Sequence, residues 1–79
     1  MSTITSPTLF ILVFKTNIRF DIDMPHLKMV LSTISGIERW NFDRHDADNI
    51  LRIESPADVS RDIITALNHN GYYCAELED

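Results

Sequence analysis

Ile37-Glu38-Arg39-Trp40-Asn41-Phe42-Asp43, then Arg44-His45-Asp46-Ala47-Asp48-Asn49, then Ile50-Leu51-Arg52-Ile53-Glu54, is the stretch that decides the fold. In its first piece Trp40 and Phe42 stand two apart and alternate with Arg39, Asn41 and Asp43. That is the period of a strand with one buried face. The middle piece is rich in Asp and Asn, which hydrogen-bond their own backbone and favour turns. The last piece is a second β-favouring run, broken by Ser55-Pro56. Two strands joined by a turn form a hairpin, with no helix between them.

On the N-terminal side, Leu9-Phe10-Ile11-Leu12-Val13-Phe14 is an unbroken apolar run. Apolar on both faces, it belongs in the middle of a sheet or under helices. Leu27, Val30, Leu31 and Ile34 then recur at helical spacing, with Asp23 as N-cap, Pro25 in the first turn and Gly36 as the closing glycine. The spacing predicts a helix over Met24–Ser35. On the C-terminal side, Asp58 or Ser60 caps a second helix carrying Val59, Ile63, Ala66 and Leu67, which Asn68-His69-Asn70-Gly71 ends. Tyr72–Leu77 is a fourth short strand. The order is β-α-β-β-α-β, an α+β, ferredoxin-like sandwich. Right-handed crossovers place both helices on one face of a four-stranded antiparallel sheet of order 4-1-3-2.

Seventy-nine residues, 44% hydrophobic, with two Gly and three Pro, make one small globular domain. Residues 1–8 read as a polar lead-in and 9–79 as the domain. The single cysteine, Cys74, leaves no internal disulfide and fits a reducing compartment. No basic n-region opens the chain, and the run of six apolar residues is too short for a signal or a membrane span. The expected location is soluble and cytoplasmic. Net charge is −5 with the basic residues scattered, so the footprint that nucleic-acid binding needs is missing.

Ile34-Ser35-Gly36-Ile37-Glu38-Arg39-Trp40-Asn41-Phe42 is similar to L-x-G-V-x-x-V-x-V, and Ala66-Leu67-Asn68-His69-Asn70-Gly71-Tyr72 to A-I-x-x-x-G-Y. Both patterns belong to the heavy-metal-associated domain, the module of copper chaperones, and the chain resembles that family over about residues 9–77. The resemblance implies a metal carrier with two cysteines between the first strand and first helix. Counting back from Gly36 without a gap puts those cysteines at Phe20 and Asp23, where no thiolate is available. A soft Cu(I) ion wants two soft anionic donors. The resemblance therefore implies a carrier fold whose thiolate site is gone.

Substitute ligands are Met24, His26 and Cys74, with Phe20, Asp21, Asp23 and Tyr72 around the same loop. Met and His take copper, and His with Asp takes zinc or nickel, so weak Cu, Zn or Ni binding is the alternative to no cofactor. A helix N-terminus carries positive partial charge and disfavours a cation without thiolates. The competing assignments make Met24 a core residue, His26 a solvated first-turn residue and Cys74 a buried structural thiol. His45 is placed in the hairpin turn at the far end of the sheet, and His69 at the second helix's C-terminus. Acylphosphatases share this topology, and Arg19-Phe20 resembles their arginine, but the glycines of a phosphate cradle are missing. No nucleophile-and-base set stands out, so the chain is read as a non-enzyme. The expected function is a binding module that has lost the metal site, acting on a protein partner or forming a homodimer through edge strands, the Tyr72-Tyr73 region or the acidic tail. The alternatives are genuine metal binding through Met24, His26 and Cys74, or a small-molecule-sensing regulatory domain of this topology.

Overall fold

The computed structural model describes residues 9–43 and 47–77. Its elements are β1 (Phe10–Thr16), α1 (Phe20–Ser32), β2 (Arg39–Asp43), β3 (Ile50–Ser55), α2 (Ser60–His69) and β4 (Cys74–Glu76). The lead-in at 1–8, the turn residues Arg44, His45 and Asp46, and Glu78-Asp79 of the acidic tail lie outside the described residues. The four strands form one antiparallel sheet of order β2-β3-β1-β4, which read from the other edge is 4-1-3-2. With two helices added, this is an α+β architecture compatible with a ferredoxin-like fold.

Side-chain alternation decides which face the helices cover. On β1, Leu12, Phe14 and Thr16 are buried while Ile11 and Lys15 are exposed. On β3, Leu51, Ile53 and Ser55 are buried and Arg52 is exposed. Leu27, Val30 and Leu31 of α1 and Ile63 and Leu67 of α2 join Leu12, Phe14, Leu51, Ile53 and Cys74 in one core. Each fully buried aliphatic side chain contributes about 1.5–3 kcal/mol. The central place expected for β1 is the one it holds. Ile11 on the strand's other side is 59% exposed, and among the described residues no second layer covers that face.

Helix α1 begins a full turn before the expected start and ends three residues before the expected finish. Arg19, not Asp23, occupies the N-cap position, and its carbonyl accepts from the Asp23 N–H at 2.8 Å. Asp23 sits inside the helix and reaches back, its Oδ2 accepting from the Arg19 N–H at 2.7 Å and from Nε at 3.3 Å. This satisfies a donor that has no helical partner, as a capping box does from its third position. Pro25 consequently falls in the helix interior, where it removes the N–H that would reach the Asp21 carbonyl. Beyond Ser32 the chain tightens through Thr33 N–H to Val30 O and Ile34 N–H to Leu31 O, each 3.1 Å. Gly36, at φ +98°, serves the following turn rather than the helix end.

Helix α2 has Val59 at its N-cap position without a side-chain cap. Asp58 supplies the polar contacts instead, its Oδ1 accepting from the Ser60 N–H at 3.0 Å and hydroxyl at 2.7 Å. These bonds hold the Asp58 carboxyl below its usual 3.8. The helix closes on Gly71 at φ +89°, with Tyr72 N–H on Leu67 O at 2.9 Å and Gly71 N–H on Asn68 O at 3.1 Å. That pair of bonds is a Schellman closure.

Candidate functional site

β1 and β2 both run antiparallel to β3, so both end at the same end of the sheet. There the β1–α1 loop, the hairpin turn and the α2–β4 connection meet. The Thr16 hydroxyl donates to Asn49 O at 2.7 Å, and the Thr16 N–H to Asp48 O at 3.2 Å. Asn49 takes φ 52°, a left-handed conformation that Asn tolerates. Asn17 Oδ1 accepts from the Tyr73 N–H at 2.8 Å. The Thr16 bonds bring Asp48 and Asn49, two described residues of the turn expected at the far end, to the last residue of β1. His45 itself is outside the described residues.

At this end a chain of polar contacts joins α1 to the α2–β4 connection. His26 Nδ1 lies 2.8 Å from the Tyr72 hydroxyl, and its Nε2 lies 3.1 Å from Asn70 Oδ1. The two rings are tilted at 54° with centroids 5.5 Å apart. The Asn70 amide is oriented by its own Nδ2, which donates to Ala66 O at 2.7 Å. Oδ1 therefore faces His26, and Nε2 carries the proton. In the neutral imidazole Nδ1 is then an acceptor, and the single proton of the Tyr72 hydroxyl has two acceptors in reach, His26 Nδ1 and the Asp23 carboxylate. Burial, followed by the Asp23 carboxylate nearby, holds Tyr72 above its usual 10.0. The Arg19 N–H, then the Arg19 side chain, holds Asp23 below its usual 3.8 despite burial.

The structure thus brings Asp23, His26 and Tyr72 together and adds Arg19 and Asn70. It does not bring the sulfurs to them. Met24 packs against the core. Cys74 is 5% exposed within that core, and burial pushes its thiol up to about 12. Neutral, buried thiols are poor ligands and poor nucleophiles. Phe20 opens α1 and stacks on Phe42, centroids 6.4 Å apart, while Asp21 faces solvent. Among the described residues no group of three or more His, Cys, Asp or Glu side chains is placed to hold a metal ion. None of their helices is long and apolar enough to cross a membrane.

The sequence pointed to Arg19 only as an acylphosphatase-like arginine and to Asn70 only as part of a helix end, and it placed neither at this site. The signal for Asn70 was its place just before the closing glycine, which carries its amide to the α1 side. The N-cap role of Arg19 had no signal, since it depends on a helix start that Pro25 masked. No family model, no curated protein and no solved structure matches the chain.

Proposed function

We propose that this chain is a protein-binding module of the ferredoxin-like type. It is a relative of the heavy-metal-associated domain that works without a resident metal. The observation that carries this reading is the state of His26. One nitrogen meets the Tyr72 hydroxyl and the other meets Asn70, so neither ring nitrogen is open to a metal without breaking a bond. The buried, protonated thiol of Cys74 supports it. A soft metal would have to displace a hydrogen-bonded ring and extract a core sulfur, against the helix dipole. Binding rather than catalysis is the proposed activity, in the cytoplasm.

Native mass spectrometry of the reduced protein with Cu(I), Zn²⁺ and Ni²⁺ tests this, alongside His26→Ala and Cys74→Ala. The expected result is no specific adduct at micromolar metal. One tightly held equivalent, lost in either variant, overturns the reading in favour of metal binding through Met24, His26 and Cys74.

A further inference from the structure

We propose that a second copy of this chain pairs with the first along the outer edge of β2, antiparallel, about a two-fold axis through Asn41. The inference rests on the binding-module reading and names its partner. β2 is the last strand on its side of the sheet and is bonded to β3 along one edge. A free strand edge is a template for another strand. The sequence of β2 selects which one. Arg39-Trp40-Asn41-Phe42-Asp43 is chemically self-complementary. Paired about Asn41, Arg39 faces Asp43 of the second copy and Trp40 faces its Phe42, with each contact repeated in reverse. Two-fold symmetry demands that reciprocity.

Neighbouring registers fail. An axis at Trp40 sets Arg39 against Asn41 and Phe42 against Glu38, and an axis at Phe42 sets Asn41 against Asp43. An axis between residues puts helix-side residues opposite residues of the bare face, which the pleat forbids. The opposite edge does not compete. β4 has three residues, Cys-Ala-Glu, with no such symmetry.

The side chains are already placed for the seam. Arg39 Nε lies 3.1 Å from Glu54 Oε1, and Arg52 NH1 lies 3.8 Å from Asp43 Oδ2. Pairing joins these bridges into one row of alternating sign: Glu54, Arg39, then Asp43 and Arg52 of the second copy. On the helix side Trp40 and Phe42 are partly buried, and cross-strand aromatic pairs add about 0.2–1 kcal/mol each. Between α1 and β2 a groove of about 600 Å³ opens outward, lined by Leu31, Ile34, Ile37 and Trp40 with Lys28 and Glu38 at its rim. The charges of opposite sign at the rim suit a reciprocal partner, which closes the groove.

Sedimentation velocity from about 1 µM to about 1 mM tests the proposal. The mass should rise from the 9.1 kDa of one chain to twice that. Amide exchange should slow with concentration across Arg39–Asp43. Arg39→Asp and Asp43→Arg each set like charges against each other and should weaken self-association at least tenfold. Mixed together, the two variants restore opposite charges and should form the mixed dimer, read by native mass spectrometry. Circular dichroism checks that each variant is folded. A chain monomeric throughout overturns the proposal, as does a homodimer indifferent to both variants, a mixture that stays monomeric, or protection at Cys74–Glu76 instead. Tight metal binding overturns the binding-module reading whatever this experiment gives, whereas a metal-free monomer removes the seam alone.

Discussion

Asp23, His26 and Tyr72 were each visible in the sequence as residues of interest, but their relation was not. His26 and Tyr72 stand 46 positions apart, and no local spacing connects them. What the sequence offered for Asp23 was the N-cap, a position that Arg19 takes; Asp23 bonds back to the Arg19 N–H from inside the helix. Because its carboxyl is held below 3.8, Asp23 contributes stability above the unfolded value of about 3.9 and loses it as pH falls through the folded value. Asp23→Asn should therefore melt below the parent protein near neutrality, with the gap narrowing below about pH 4. Thermal melts of both proteins from acid to neutral pH measure it. Cys74 has the opposite sign. A thiol raised from 9.0 to about 12 stabilises fully below the unfolded value and loses that contribution as pH rises toward 12. Cys74→Ala should flatten the alkaline decline, and the native thiol should alkylate far more slowly at pH about 8 than in denaturant.

At the scale of elements, periodicity was the legible part. Leu27, Val30 and Leu31, and Ile63 and Leu67, are buried where the helical spacing put them. Boundaries were less legible. Pro25 is a strong start signal, and here it is overridden by one more turn that Asp23 and the Phe20–Phe42 stack hold in place. The six-residue apolar run at β1 signalled a central strand, which it is. The run did not show that Ile11, on the face away from the core, would stand 59% exposed. Gly71 ended α2 as expected, for a reason that can be tested. Its φ is +89°, and nothing lies within 4 Å of an added Cβ. Gly71→Ala thus meets backbone strain alone, and should lower stability by about 1 kcal/mol. In urea the midpoint should fall while the slope stays unchanged.

For the whole molecule, the described residues form a four-stranded sheet with helices on one side and bare strands on the other. Its order of elements was readable because a hairpin sits between two helical repeats. Its chemistry was not, because the site is made of hydrogen bonds across the end of the sheet and carries no motif. The lopsided cover also fixes where the chain's single tryptophan lies. Trp40 is half-buried on an outermost strand, so one indole reports on two separate events. Water reaches it when the fold opens, and emission moves to the red. Water leaves it if a second strand docks, and emission moves to the blue as concentration rises. The colour of the unlabelled protein's fluorescence separates melting from assembly in one cuvette.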